Sequence, residues 1–372
     1  MMYLLVLCYT KTMKIRNLTL KNFRNCEGIN ISFKGNKILI IGKNAQGKTN
    51  ILESIYLLTD LKSPRTSLLS DLIRFGNSEF EINAVVEKNE TEIELDISYN
   101  TDKKRVLLGN KVKTSPKNFK NIVKTVLFST KDLLLLRGTP QDRRDWLDRA
   151  ISQVYPAYEE RLSVYDKFRI QKNNLLKNEV IDEALLEIYN EQLVITGANI
   201  IFLRKKFLKE IEKIAASKHH SISESENFSL SYTCPCDDVE EICNYLKDEL
   251  KTRRNEEFAR KQSCVGPHRD DIEFKINDID AIKFSSQGQQ RTLVLSLKLA
   301  ELDIIKEKTG TTPILLLDDV LAELDDIRQN FLLKSIENNV QAIITSVDTL
   351  LFDDEFLKDV QILSVDNGRI ST

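Results

Sequence analysis

The segment Gly42-Lys43-Asn44-Ala45-Gln46-Gly47-Lys48-Thr49 constrains this chain more than any other, because it satisfies G-x-x-x-x-G-K-[ST] in a suitable context. Before it runs Ile38-Leu39-Ile40-Ile41, short and wholly apolar, as expected of a strand buried on both faces. After it, Ile51, Ile55 and Leu58 recur at helical spacing. A strand, a glycine-rich loop and a helix start in that order let successive backbone N–H groups converge on phosphate oxygens at the helix N-terminus. Residues 42–49 are therefore expected to bind a nucleoside triphosphate. Lys48 would reach the β and γ phosphates, and the Thr49 hydroxyl would ligate Mg²⁺. The bland alternative, a chance glycine turn, accounts for neither flank.

A second apolar run, Ile314-Leu315-Leu316-Leu317, ends in Asp318-Asp319. A buried strand finishing in paired carboxylates would place Asp318 beside the metal and Asp319 where it can polarise an attacking water. Adjacent carboxylates repel each other without a cation, which favours Mg²⁺ here. Lys48, Asp318 and Asp319 form the expected catalytic set.

The 372 residues carry 54 Lys+Arg against 56 Asp+Glu, a balance that excludes a uniformly basic nucleic-acid coat but not a local basic patch. No apolar run reaches the roughly 18 residues of a spanning helix. The six cysteines show no disulfide framework, and Cys234-Pro235-Cys236 lacks a second pair at zinc spacing, so free thiols in a reducing cytoplasm are expected. Residues 1–12 begin MMYLLVLC without the charge or cleavage pattern of a secretory signal, and are expected to be a disordered leader upstream of a start at Met13.

The periodicities give an α/β fold split in sequence. Residues 13–138 and 262–372 form an α/β head, with residues 80–130 β-rich, and residues 139–261 form an inserted helical hairpin domain. Within the insert, 141–177 and 181–218 are two long amphipathic helical stretches, too short for a long coiled-coil arm. The polar, Ser-rich residues 219–232 are expected to be a loop. Residues 361–370 are expected to be a hairpin turning at Asn367-Gly368.

Ser285-Ser286-Gln287-Gly288-Gln289-Gln290-Arg291 precedes a helix that carries Leu293, Leu297 and Ala300 on one face. Alone it would read as a helix cap. Placed before the strand ending in Asp318-Asp319, it resembles the signature motif of the ATP-binding-cassette superfamily. Asn22-Phe23-Arg24, Arg137-Gly138-Thr139-Pro140 with Arg143-Arg144 and Trp146-Leu147-Asp148, Gly266-Pro267-His268-Arg269-Asp270-Asp271, and Val320-Leu321-Ala322-Glu323-Leu324-Asp325 complete the set. From Met13 onward, the combination resembles the RecF family of bacterial recombination mediators.

The resemblance implies an SMC-like, ABC-type ATPase head with P-loop chemistry and an inserted helical lobe. It implies ATP and Mg²⁺ as cofactors and a homodimer closed around two ATP molecules. Ser286, Gly288, Gln289 and Asp325 would contact the nucleotide held by the other subunit. A weak, DNA-stimulated ATPase acting as a switch is implied, serving gap repair, recombination, replication restart and the SOS response with RecR- and RecO-like partners. Two departures suit slow turnover. No His occurs in Ile344-Thr345-Ser346-Val347-Asp348, where cassette ATPases usually carry one, and Asp319 stands where transporter-type ATPases carry Glu. His268 is better read as a structural histidine than as a catalytic one.

DNA binding, also implied, needs a surface. Residues 103–124 contain Lys103, Lys104, Arg105, Lys111, Lys113 and Lys117 among eight cationic residues and no acidic one. A one-sign stretch suits phosphate contact through counterion release, although a solvated lysine-rich loop would look the same. No base-reading motif is evident, so sequence-independent binding to single-stranded, gapped or duplex DNA is expected. The main alternative is a cassette ATPase serving a membrane transporter, against which stand the missing His, the Asn22-Phe23-Arg24 segment and the helical insert.

Overall fold

A computed structural model describes residues 12–102, 104–223, 225–336 and 339–371. The leader expected at 1–12 lies outside them, apart from Thr12. The chain divides into two compact units, Met1–Asp132 with Glu301–Thr372, and Leu133–Ala300.

The first unit begins with β1 (Met13–Phe23), β2 (Cys26–Ser32), β3 (Lys37–Ile41) and α1 (Lys48–Asp60). It continues with β4 (Glu79–Lys88), β5 (Thr91–Asn100), β6 (Lys104–Gly109), β7 (Val112–Lys113), α2 (Pro116–Lys120) and β8 (Thr125–Ser129). The second unit holds α3 (Pro140–Val154), α4 (Ala157–Leu175), α5 (Glu183–Ser223), β9 (Phe228–Tyr232), α6 (Val239–Thr252), α7 (Arg254–Arg260), β10 (Ile272–Ile276), β11 (Ile279–Asp280) and α8 (Ala281–Phe284). After α9 (Gln287–Thr309) come β12 (Ile314–Asp318), α10 (Asp326–Lys334), β13 (Ala342–Ser346), α11 (Asp354–Leu357), β14 (Val360–Asp366) and β15 (Arg369–Ser371), all but the start of α9 in the first unit.

Two six-stranded sheets make the first unit. One is antiparallel, ordered β2-β1-β4-β5-β6-β7. The other, β15-β14-β3-β13-β12-β8, is parallel except at β15. The apolar runs of β3, β12 and β13 suit strands flanked on both sides, where neither face meets water. Ile51, Leu52, Ile55 and Leu58 of α1 join one apolar cluster with Leu18, Leu20, Ile82 and Ala84 of the antiparallel sheet and Ile38, Ile40, Leu316 and Ile343 of the parallel one. Truncating any of these leucines or isoleucines to alanine would cost about 2–5 kcal/mol. The strand order matters for function. β13 lies between β3 and β12, so the phosphate-loop strand and the acid-bearing strand are not direct neighbours.

The second unit differs from expectation in three places. The stretch read as one helix over 141–177 is two, α3 and α4, broken at Tyr155-Pro156. Proline has no N–H and disfavours helical geometry in the residue before it, and Tyr155 accordingly leaves the helix at φ −120°, ψ 90°. Second, α5 runs to Ser223 rather than stopping at 218. Third, residues 228–232, read as loop, form β9 with Phe228, Leu230 and Tyr232 buried, because β10 offers an antiparallel partner (Phe274 opposite Leu230). This pairing ties residues 272–276 to the helical unit, so the contact division falls after Ala300, later than the sequence boundary after residue 261.

The hairpin of β14 and β15 turns at Asn367 (φ 48°) and Gly368 (φ 71°), both in the left-handed region. Two left-handed central residues suit the twist of the flanking strands.

Candidate nucleotide-binding site

The phosphate loop leaves the C-terminal end of β3 and enters α1 at Gly47, whose φ of 117° is one that side-chain-bearing residues rarely adopt. A Cβ there would lie 2.9 Å from Asn25 Oδ1. The loop is held from two directions. The Gly368 N–H donates to Gln46 O (2.9 Å) and the Asn367 N–H to Gln46 Oε1 (2.6 Å), while Asn25 Nδ2 donates to Gln46 O (3.1 Å). The hairpin tip 321 residues downstream thus clamps the loop.

Lys48 is buried, and its ammonium donates to Gly42 O (2.5 Å) and Lys43 O (3.3 Å), which curls it over the loop. Thr49 Oγ1 donates to Asp318 Oδ1 at 2.9 Å, so the helix start and the end of β12 meet as the motifs required. Burial pushes the Asp318 carboxyl above its ordinary range, and the neighbouring Asp319 adds to the rise. A hydroxyl and an under-compensated carboxylate, both hard oxygen donors, fit Mg²⁺.

Thr345 was not singled out in the sequence, where the absence of a histidine drew attention instead. It sits on β13 between the two functional strands, opposite Ile40 of β3. Its Oγ1 accepts from the Asp319 N–H (2.8 Å) and lies 3.2 Å from Asp318 Oδ1 and 3.1 Å from Asp319 Oδ1. Asp319 itself is held at φ 51°. One hydroxyl therefore fixes both acids, in a segment where only the sheet order reveals its position.

Asn22-Phe23-Arg24 also acquires a physical role. Arg24 makes a two-pronged pair with Glu53 of α1 (Nε to Oε2 2.9 Å, Nη2 to Oε1 2.7 Å). Glu53 is 1% exposed and also receives Arg65 Nη1 (3.2 Å) and the Ser63 hydroxyl. Arg65 bonds Asn50 Oδ1 (2.7 Å) in the first turn of α1, and its charge reaches Asp318, where it favours the carboxylate. Sequence spacing does not reveal Arg65.

The signature segment belongs to the second unit. Ser286 and Gln289 cap α9 reciprocally: the Ser286 N–H donates to Gln289 Oε1 (2.8 Å) and the Gln289 N–H to Ser286 Oγ (3.2 Å). Ser286 stays exposed and Gly288 half-buried, at a helix N-terminus suited to an anion. Gln289 Nε2 donates to Glu226 Oε1 (2.8 Å), and Glu226 Oε2 lies 3.0 Å from Nε2 of fully buried His219 on α5. Arg137 Nε donates to Gln290 Oε1 (2.8 Å). In the first unit, Asp325 caps α10 by accepting from the Arg328 N–H (3.0 Å) and pairs with the Arg328 guanidinium, leaving its carboxylate half exposed.

His268 carries a structural load. Its Nε2 meets Ser263 O at 3.1 Å, which requires a proton there, so Nδ1 accepts from Tyr165 OH at 2.6 Å. Burial pulls its pKa down to about 3 and keeps the ring neutral. Nearby, Arg143 clasps Asp271 through Nε (2.8 Å) and Nη2 (2.7 Å).

The basic stretch is divided by the fold. Lys103 and the Lys104 side chain lie outside the described residues. Arg105 donates to Leu61 O (3.1 Å) and is partly buried, while Lys111, Lys113 and Lys117 are exposed around β7 and α2.

Residues 14–371 match the model of the RecF/RecN/SMC N terminal domain. The chain is 41% identical over 370 residues to the DNA replication and repair protein RecF of Thermosynechococcus vestitus, covering 97% of each. It is 40% identical over 363 residues to RecF of Streptococcus gordonii, covering 96% of this chain and 100% of that one. The solved structure of the recombination mediator protein RecF-ATP in the RecFOR pathway superposes with a TM-score of 0.88 at 33% identity, covering 97% of both chains. An Smc head domain from Pyrococcus furiosus shares the fold alone, at 17% identity and a TM-score of 0.56 over 96% of this chain and 95% of that one. The architecture is thus that of an ABC-type ATPase head of the SMC class. Within that class, the chain belongs to the RecF family.

Proposed function

We propose that this chain is a cytoplasmic, ATP-dependent DNA-binding protein of recombinational gap repair and replication restart, tied to the SOS response, in which ATP-driven dimerisation acts as a slow switch. The observation that carries the reading is the meeting of Thr49 with Asp318 beside Lys48, three groups from the two ends of the chain assembled at one loop. Thr49 and Asp318 would hold Mg²⁺, which when bound supplies charge neutralisation for phosphoryl transfer. Lys48 and the loop N–H groups bind the phosphates. Asp319, steadied by Thr345, orients and polarises the attacking water.

Ser286, Gly288, Gln289 and Asp325 complete the site of a second copy. Exposure of Ser286 at the start of α9 supports this, as do the exposed apolar side chains Phe284 beside the signature and Ile327 beside Asp325. Lys111, Lys113 and Lys117, with Lys103, Lys104 and Arg105 in the same stretch, contact the DNA backbone without reading sequence. Relatives bearing the names DNA replication and repair protein and recombination mediator of the RecFOR pathway support the repair role and RecR- and RecO-like partners.

Sedimentation mass with Mg-ATP, with and without gapped DNA, tests the proposal on wild type and Asp319→Asn. A lasting dimer of Asp319→Asn only with ATP, strengthened by DNA, is expected. Monomers under every condition would remove the roles given to Ser286 and Asp325. A membrane extract that stimulates hydrolysis where DNA does not would instead favour the transporter-serving alternative.

A further inference from the structure

A groove of about 380 Å³ runs along α5 in the helical unit, lined by none of the residues assigned to nucleotide or DNA. Its floor is apolar, made by Leu186 and Val194 of α5, Leu250 of α6 and Phe258 of α7. Leu186 and Phe258 belong to a small cluster with Leu175 and Leu176 that is separate from the main core. Beneath it, Lys172 and Glu257 form a buried pair at 2.6 Å, which stiffens the base.

The two walls carry opposite charge. Glu187 and Glu191 stand on the α5 side, while Lys247 and Lys251 of α6 and Arg254 of α7 stand on the other. Arg254 is partly occupied by Glu183 and by the Phe258 ring, and Lys251 pairs with exposed Asp248. Glu187, Glu191 and Lys247 form no ion pair among the described residues, so the walls face each other without closing. The amide oxygen of Asn190, which also lines the groove, is buried and accepts no hydrogen bond.

From these features we infer that the groove binds a short extended peptide segment of a partner protein, with an apolar side chain flanked by one acidic and one basic residue. The apolar side chain seats on the floor, the acidic residue faces Lys247 and Lys251, and the basic residue faces Glu187 and Glu191. Length agrees as well. From Leu186 to Val194 the helix rises about 12 Å, the span of about four extended residues.

The test is fluorescence anisotropy of full-length protein with fluorescein-labelled Gly-Asp-Leu-Phe-Lys-Gly, its order-reversed form Gly-Lys-Leu-Phe-Asp-Gly, and the neutral Gly-Asn-Leu-Phe-Gln-Gly. One charged order is expected to bind about tenfold or more tighter than the neutral peptide, since two matched charge contacts are involved. Lys247→Glu with Lys251→Glu should weaken that binding. Reversing both walls, with Glu187→Lys and Glu191→Lys added, should transfer preference to the other order. These positions are at or near the surface, and unchanged helix content by circular dichroism with an unchanged thermal unfolding profile would establish that the helical unit of each variant folds. Absence of saturation below about 1 mM for both charged peptides, or binding indifferent to the wall variants, would overturn the inference.

Discussion

Glu226 accepts a hydrogen bond from the Gln289 side chain at 2.8 Å across 63 residues of sequence, while its other oxygen meets buried His219. The signature segment is thereby fastened to the C-terminal end of α5, the 41-residue helix of the insert. Gln289 also caps Ser286, so the exposed serine is oriented through a chain of polar contacts that begins in the helical unit.

Glu226→Ala should therefore cost about 1–3 kcal/mol in urea unfolding, because it removes the carboxylate that joins Gln289 to His219. It should also weaken ATP-dependent self-association while nucleotide affinity of the monomer holds. Self-association equal to wild type would mean that the Ser286 cap does not depend on this link.

Thr345→Val keeps the shape of β13 but removes the hydroxyl that meets the Asp319 N–H and both carboxylates. Because ligand-orienting groups of this kind typically contribute 10- to 100-fold, hydrolysis should fall by about that factor. ATP binding, measured by calorimetry, should change little.

Glu53→Ala removes a 1%-exposed carboxylate and strands Arg24, which is only 18% exposed. Breaking a buried pair by deleting one partner costs about 3–5 kcal/mol, and this partly exposed arginine places the loss at or below the lower end. Adding Arg24→Ala should cost far less than the sum of the two single changes. Additive losses in chemical unfolding would show that the pair is not a unit.

Two largely buried groups of the segment 266–271 respond to pH in opposite senses. Burial chiefly pushes the Asp270 carboxyl from 3.8 up to about 6, and burial chiefly pulls His268 from 6.5 down to about 3. Between pH 6 and 3.8 the folded chain holds a proton on Asp270 that the unfolded chain releases, so that group adds stability as pH falls. Between 6.5 and 3 the unfolded chain protonates His268 and the folded chain does not, so that group loses stability as pH falls. The two offset each other near pH 5. Relative to wild type, Asp270→Asn should lose about 1.4 kcal/mol per pH unit from pH 6 to 4, and His268→Gln should gain by a similar slope. Parallel pH profiles for all three proteins would contradict these assignments.

Lys111→Glu, Lys113→Glu and Lys117→Glu together should weaken DNA binding for every sequence alike. If each lysine contacts one phosphate, the slope of log affinity against log salt should fall by about 3. An unchanged slope would place the DNA elsewhere.

Much of the molecule was legible because its determinants are local. The phosphate loop, the apolar strands before Gly42 and Asp318, and the Asn367-Gly368 turn each depend on residues that are neighbours in sequence, where backbone sterics and burial leave few options. Pro156 is equally local and does break the helix, although the amphipathic pattern runs through it unbroken. Strand β9 spans only five residues at the end of a polar, Ser-rich stretch, so the alternation of Phe228, Leu230 and Tyr232 with serines is too short to stand out, and pairing with β10 makes it a strand.

By itself the sequence determined that a phosphate-binding loop would be followed by paired acids, and the resemblance of its motifs pointed to the family. Tertiary structure alone decided which other groups serve them. Insertion of β13 between β3 and β12 brings Thr345 to the acids, the hairpin tip reaches Gln46, and the end of α5 brings His219 toward Gln289 through Glu226. Such partners meet through sheet order and helix packing over tens to hundreds of residues, and a hydrogen bond formed at that range leaves no periodicity or spacing in the chain to mark it.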